Sequence, residues 1–332
     1  MKIGIIGTGV FSAAIAYNLA QNTNNKIVMW SENKDLVNDY KKTNKMESVY
    51  KGKEFPKNVT LTNSYDTLLK DVELVIIMTS ISYVETVTSA IKETINKDIP
   101  ICIGTKGTVL YNEKQKFAYE IVHHILKNPI AILSGPTYAE DVISLDPVAF
   151  NVACKGKKIK NVLLRAFDLK NVKIVFTSDF KGVSICGTVK NIYAIGSGIL
   201  TGLGYKESTI AYYLTSVYKE LETILYMYES SLTTLHSLAG FGDLIATCSS
   251  TKSRNYNFGL LLGKKESKKE LNDYKEKNTI EGLISLEHCT ALFAKKHIKT
   301  PLLTVLNKIV NGEEEAKALL NVMEDMKLNS IY

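Results

Sequence analysis

A chain of 332 residues, 45% hydrophobic and 23% charged, is long enough for about two domains that each bury a core, so no disulfide or metal staple is needed. Five scattered cysteines (Cys102, Cys154, Cys186, Cys248 and Cys289) form no CxxC pair and have no histidine at ligand spacing, which argues against a metal site and predicts buried, reduced thiols. The formal charge of +7 is almost entirely lysine, since Arg165 and Arg254 are the only arginines, and lysines mixed with acids, as in 264–277, read as a solvated face rather than a nucleic-acid groove.

Residues 3–20, after Lys2, are apolar enough to pass for a signal peptide or membrane anchor. The positive flank is minimal, a Gly-Thr-Gly turn interrupts the run, and no small-residue cleavage site follows, so strand, turn and helix are expected instead. No other segment approaches 18 unbroken apolar residues. A soluble, cytoplasmic protein without a membrane span is therefore expected.

Lys2–Ile6 reads as a first strand, Ala13–Leu19 as the helix after it, and Lys26–Trp30 as a second strand. Leu74–Met78 is a continuous apolar strand, followed by helical periodicity over Tyr83–Ile95. Ile99–Ile103 and Pro129–Leu133 are further strands, with a helix-like Lys114–Leu126 between them; Val148–Ala153 and Val172–Phe176 complete the set. Strands alternating with helices predict a doubly wound, mostly parallel sheet covered on both faces. From about Phe180 the β character stops, and long periodic segments cover 183–201, 207–229, 230–248, 253–262 and 281–296. The expected organisation is a dinucleotide-binding α/β domain, 1–180, followed by an all-α substrate and catalytic domain, 181–332. With no linker between them the halves are expected to pack together, and clefts at such junctions commonly take ligands.

Gly7-Thr8-Gly9-Val10-Phe11-Ser12 follows the first strand and opens the first helix. Gly7 permits the tight turn, and Gly9 lets a pyrophosphate approach the helix N-terminus; Ser12 stands where the fingerprint has its third glycine. Glu32, 20 residues beyond Ser12 at the end of the second strand, would accept hydrogen bonds from the adenosine ribose. The competing reading is a surface glutamate, and nearby Lys34 would soften its effect. An acid here disfavours the extra phosphate of NADP, so NAD is the expected cofactor, with NADP as the second candidate.

Lys190 stands in the apolar run Gly187-Thr188-Val189-Lys190-Asn191-Ile192. A buried lysine without a partner has a lowered pKa, which suits an amine that protonates a carbonyl oxygen as hydride arrives. The competing reading is a lysine that snorkels at a helix edge. Further on come Gly240-Phe241-Gly242-Asp243 and Ser253-Arg254-Asn255. Guanidinium, hydroxyl and amide together make a phosphate clamp, against which stands a simple helix N-cap with an exposed arginine.

In this order the chain carries Gly7-x-Gly9-x-Phe11, Thr105-Lys106-Gly107, Ser134-Gly135-Pro136-Thr137-Tyr138-Ala139-Glu140, Lys190-Asn191, Gly240-Phe241-Gly242-Asp243, Ser253-Arg254-Asn255 and Ile280-Glu281-Gly282. Together these motifs resemble, over essentially the whole chain, the bacterial-type NAD(P)-dependent glycerol-3-phosphate dehydrogenases. The resemblance implies a Rossmann-type first domain and hydride transfer between NAD(P)H and dihydroxyacetone phosphate, giving glycerol 3-phosphate for glycerolipid and phospholipid synthesis. It implies Lys190 as general acid and Lys106 as a second lysine touching substrate and cofactor. Gly135, Thr137, Asp243, Ser253, Arg254 and Asn255 match substrate positions, with Asn191 and Thr247 as polar neighbours. Gly7, Gly9, Val10, Phe11, Glu32, Ala139, Ile280 and Glu281 match the cofactor side, and Arg254 reaches it as well. Ser12, Glu32 and Thr215-Ser216-Val217, where the family commonly has Thr-Arg-Gly, depart from the pattern. The alternatives are a related two-domain dehydrogenase (β-hydroxyacid dehydrogenase or ketopantoate reductase) and a catalytically silent NAD-sensing protein. A homodimer is the base-rate assembly.

Overall fold

The computed structural model describes residues 1–326; the last six residues of the expected helical domain lie outside the described residues. In chain order the elements are β1 (Lys2–Ile6), α1 (Val10–Leu19), β2 (Lys26–Trp30), α2 (Lys34–Thr43), β3 (Val59–Thr62), α3 (Tyr65–Leu69), β4 (Leu74–Ile77), α4 (Val84–Ile91), β5 (Ile101–Ile103), β6 (Thr108–Tyr111), β7 (Lys114–Phe117), α5 (Ala118–Ile125), β8 (Ile130–Ser134), α6 (Ala139–Ile143), β9 (Val148–Cys154), α7 (Lys157–Ala166) and β10 (Val172–Thr177). Helices then take over: α8 (Phe180–Gly202), α9 (Glu207–Met227), α10 (Leu232–Leu235), α11 (Asp243–Cys248), α12 (Arg254–Gly263), α13 (Lys268–Lys277), α14 (Glu281–Lys295), α15 (Pro301–Asn311) and α16 (Ala318–Asp325). The chain forms two compact units, one of 1–106 with 116–180 and the other of 107–115 with 181 onward.

In the first unit, eight strands form one sheet in the order β10-β9-β8-β5-β4-β1-β2-β3. All neighbouring pairs are parallel except β8 with β9. The central strands β4 and β5 are buried at every residue, as continuous apolar runs covered on both faces require, whereas edge strand β3 alternates buried and open residues. From β1 the chain winds outward through β2 and β3, then crosses back to β4 on the other side of β1. That reversal is the point at which ligands bind open α/β sheets, outside the carboxyl ends of the strands. Register aligns those ends, since Trp30, Ile6, Ile77, Ile103 and Ile132 share one row.

The second unit is built around α8, which is buried along almost its entire length. It is the one helix among the described residues long and apolar enough to cross a membrane, and 94% of its apolar window is buried inside the protein. Helix α12 crosses α8 at backbone contact: a Cβ on Gly259 would strike the Ile195 carbonyl, and one on Gly198 would lie 2.7 Å from the Leu260 nitrogen. Only glycine permits that approach.

Two local readings needed correction. Lys114–Phe117 is a strand of the β6–β7 hairpin, and the expected helix begins only at Ala118. The segment 230–248 is not one helix but α10, a π-helical turn over Leu238–Gly242, and α11. Glycine is required within that turn at Gly240, where a Cβ would collide with the carbonyls of Thr234 and Leu235.

Candidate functional site

In the first unit, the candidate residues follow the carboxyl ends of the aligned parallel strands. Gly7 comes after β1, Glu32 after β2, Lys106 after β5, and Gly135 and Thr137 after β8; Ala139 opens α6. Gly7 has φ of +120°, and a Cβ there would lie 2.6 Å from the Met78 carbonyl oxygen at the end of β4, so only glycine passes the switch point. Gly9 is the N-cap of α1 and offers no capping side chain. A Cβ on it would meet nothing nearer than Ser12 Oγ, at 4.0 Å, leaving the helix N-terminus open to an anion. Ser12 replaces a glycine without strain, because it is buried and its hydroxyl donates to the Gly9 carbonyl at 2.9 Å. Val10 is exposed and Phe11 is half-buried against the core. An uncapped helix start, an open glycine and an acid at the end of the second strand together fit a dinucleotide.

Gly135 sits at φ +153°, where a Cβ would lie 2.7 Å from the Ala149 carbonyl. Thr105 donates to the Thr79 carbonyl at 2.9 Å, joining the ends of β4 and β5 just before Lys106, which is half-buried.

In the second unit, Lys190 is 9% exposed and Asp243 only 1%. Lys190 Nζ donates to Asp243 Oδ1 in an ion pair and to Thr247 Oγ1 at 3.0 Å. Thr247 in turn donates to the Asp243 carbonyl at 2.6 Å, one helical turn back on α11. Lysine 190 therefore has the partner that the sequence reading left open, and it does not snorkel: the carboxylate is the counter-ion of a buried ammonium. Beneath it, burial pushes the Cys248 thiol up to about 12, so this sulfur is an inert neighbour. All five cysteines are buried and none is joined in a disulfide.

Beside this pair runs a chain of amides. Asn191 donates to Glu281 Oε2 at 3.0 Å and accepts from Asn255 Nδ2 at 3.1 Å; the Gly282 amide donates to Asn255 Oδ1 at 2.8 Å. These bonds tie α8 to the N-termini of α12 and α14. They also engage both ends of the Asn255 amide, leaving one N–H for a ligand where the sequence suggested a free clamp residue. Ser253 is the N-cap of α12, accepting from the Tyr256 amide at 3.2 Å. Arg254 is the first residue of that helix and exposed, as the reading of a simple helix N-cap with an exposed arginine has it. A cation at a helix N-terminus opposes the macrodipole, and an anion there would satisfy both. Ile280 is the N-cap of α14 and its side chain is buried, which leaves Glu281 as the open member of that segment.

Several holding residues gave no sequence signal. The Gly107 amide donates to Thr188 Oγ1 at 3.2 Å, and His288 Nδ1 meets the Thr108 carbonyl at 3.1 Å, fastening β6 to the helical unit. In α9, Ser216 and Val217 are fully buried, with Ser216 donating to the Tyr212 carbonyl at 3.1 Å, so the departure from Thr-Arg-Gly lies in packed interior.

Residues 2–160 match the family model for the N-terminus of NAD-dependent glycerol-3-phosphate dehydrogenase, and residues 179–321 match that for its C-terminus. The chain belongs to the NAD-dependent glycerol-3-phosphate dehydrogenase family. Membership agrees with its relatives: it is 31% identical to a glycerol-3-phosphate dehydrogenase (NAD(P)+) of Ehrlichia ruminantium (strain Welgevonden), over 97% of this chain and 100% of the relative. The crystal structure of a glycerol-3-phosphate dehydrogenase from Coxiella burnetii superimposes with a TM-score of 0.90 at 28% identity, covering 98% of this chain and 99% of that one. A probable 2-dehydropantoate 2-reductase from Bacillus subtilis shares the fold alone, with a TM-score of 0.58 at 13% identity over 95% of this chain and 100% of that one. The glycerol-3-phosphate dehydrogenase family thus accounts for both units.

Proposed function

We propose that this chain interconverts dihydroxyacetone phosphate and glycerol 3-phosphate with NAD(P)(H), and that Lys190 is its general acid. The observation that carries the reading is the buried Lys190–Asp243–Thr247 cluster in a member of this dehydrogenase family. The nicotinamide, when bound, supplies or accepts the hydride at C2. Lys190 donates a proton from Nζ to the C2 oxygen as the ketone becomes an alcohol, and takes it back in reverse. Asp243 balances the ammonium before transfer, and Thr247 fixes the direction of Nζ. Arg254 grips the phosphate at the start of α12, and Asn191 and Asn255 set the spacing between that grip and Lys190.

Lys106 is assigned to the developing negative charge on oxygen. Support comes from the chain itself: Gly107, the next residue, is bonded to Thr188 on the helix that carries Lys190. Gly135 and Thr137 are assigned to substrate, Gly7 to Phe11, Ala139 and Glu281 to cofactor. Glycerol 3-phosphate made this way would feed glycerolipid and phospholipid synthesis in the cytoplasm, a compartment that suits five cysteines outside any disulfide. A homodimer remains the base-rate assembly.

The test is a nicotinamide-absorbance assay offering dihydroxyacetone phosphate, unphosphorylated dihydroxyacetone and 2-dehydropantoate. Rapid turnover of the phosphorylated ketone alone is expected. Preference for the dehydropantoate, or equal use of the two dihydroxyacetones, would overturn the assignment.

A further inference from the structure

The amides beside Lys190 and Arg254 belong to a closed ring of hydrogen bonds within the helical unit. The Gly282 amide donates to Asn255 Oδ1 at 2.8 Å, and Asn255 Nδ2 donates to Asn191 Oδ1 at 3.1 Å. Asn191 Nδ2 then donates to Glu281 Oε2 at 3.0 Å. Glu281 and Gly282 are consecutive at the start of α14, so the last acceptor and the first donor are joined by a peptide bond. Asn191 and Asn255 are buried, whereas Glu281 is exposed. No other residue fits at Gly282, where a Cβ would lie 2.5 Å from the Asn191 carbonyl oxygen and 2.8 Å from Asn255 Oδ1.

A carboxamide has a donor at one end and an acceptor at the other, and its shape does not decide which end faces which neighbour. The two ends of the ring decide. A carboxylate only accepts, and a backbone N–H only donates. Turning Asn255 over would set its Nδ2 against the Gly282 N–H. Turning Asn191 over would set its Oδ1 against the Glu281 carboxylate. Every alternative brings like groups together in a buried place, where an unpaired polar group is costly. In the one arrangement left, each amide keeps one N–H outside the ring. These two donors sit on the residues that follow Lys190 and Arg254, and an N–H is what a phosphate oxygen accepts from.

We propose that Glu281 is a positioning residue for the substrate: its carboxylate fixes the direction of Asn191 and Asn255 so that both turn an N–H toward the phosphate. This inference rests on the phosphate reading of Arg254 and Asn255 and goes beyond it, because Glu281 then serves the substrate through two amides as well as standing on the cofactor side. At contact a carboxylate repels a phosphate. Through an intervening amide it does the opposite, since the acceptor on one side of the ring becomes a donor on the other. Its place in the first turn of α14 also suits a negative charge.

The experiment measures kcat/KM for dihydroxyacetone phosphate and for unphosphorylated dihydroxyacetone at saturating NADH and takes their ratio, in which an effect on the cofactor cancels. Glu281→Met, similar in length but without an acceptor, should lower the ratio about 10-fold, the scale of one buried donor left unpaired. Glu281→Gln can still accept from Asn191 and should keep the ratio within about 3-fold of wild type. Thermal unfolding gives a second readout. Asn255→Asp sets an acceptor opposite Asn191 Oδ1, which forces Asn191 to turn over against the Glu281 carboxylate and should lower Tm. Adding Glu281→Gln, whose amide can donate to the turned Asn191, should recover most of that loss. The inference is overturned, with phosphate-dependent turnover left standing, by any of three results: Glu281→Met with the wild-type ratio, Glu281→Gln falling as far as Glu281→Met, or a double variant no more stable than Asn255→Asp. A wild type that uses both ketones equally would overturn the phosphate reading itself and this inference with it.

Discussion

Lys190 and Asp243 are buried together, so removing either one strands the other. Lys190→Met leaves a carboxylate in the interior of the helical unit without its cation, a change that costs about 3–5 kcal/mol. In the double variant Lys190→Met with Asp243→Asn no charge remains to be compensated, so thermal unfolding should show it more stable than the single variant. A double variant no better than Lys190→Met would mean that the pair is not coupled in solution. Arg254 is the opposite case. It is exposed at the first turn of α12, and truncating it strands no buried partner. Arg254→Ala should therefore leave Tm nearly unchanged but raise KM for dihydroxyacetone phosphate by about 10- to 100-fold, the loss of a charge-assisted phosphate contact. The slow reaction with unphosphorylated dihydroxyacetone should not respond. Equal losses on both ketones would remove the phosphate grip from the account.

Among the elements, α15 depends on a single buried carboxylate. Glu220, on α9, accepts from the Leu302 amide at 2.8 Å and the Leu303 amide at 3.0 Å, satisfying the start of α15, and also from the Tyr193 hydroxyl at 2.8 Å. Those bonds hold its pKa down, but burial outweighs them and raises it from 4.5 to about 7. The sign follows directly. Between about 4.5 and 7 the folded chain keeps a proton that the unfolded chain has lost, so this group's contribution to stability is full at the acid end and falls as pH rises through 7. Glu220→Gln carries no such titration. Its Tm relative to wild type should climb between pH 5 and pH 8, by an amount corresponding to a few kcal/mol at most. A constant difference across that range would show that Glu220 titrates normally.

The elements also show how far the sequence could be read. The β strands announced themselves because Leu74–Ile77 and Ile101–Ile103 are apolar runs buried on both faces, and α8 because a long apolar segment needs a buried place. The β6–β7 hairpin was hidden: Lys114–Phe117 is short, half polar and followed at once by a true helix, so the helical period absorbed it. The π-helical turn at Leu238–Gly242 was hidden for another reason: Gly240 packs so close to the Thr234 and Leu235 carbonyls that a Cβ would not fit, an approach that no local pattern records. At the site, the residue types were legible and their partners were not. Asn191 bonds to residues 64 and 90 positions away, and such pairings depend on how α8, α12 and α14 cross.

On the scale of the whole molecule, two units divide the chemistry. The first carries the glycine turn, the switch point and Glu32; the second carries the ammonium, its carboxylate and the guanidinium. Nucleotide binding and proton transfer should therefore be separable by mutation, which is what general acid catalysis from Lys190 requires. The most direct measurement is dihydroxyacetone phosphate-dependent oxidation of NADH by Lys190→Ala, made alongside a Trp30 fluorescence titration with NADH on the same preparation. Turnover should fall by at least about 100-fold, the scale of a lost general acid, while NADH affinity stays within a few-fold of wild type. A Lys190→Ala protein that turns over at close to the wild-type rate would contradict the account.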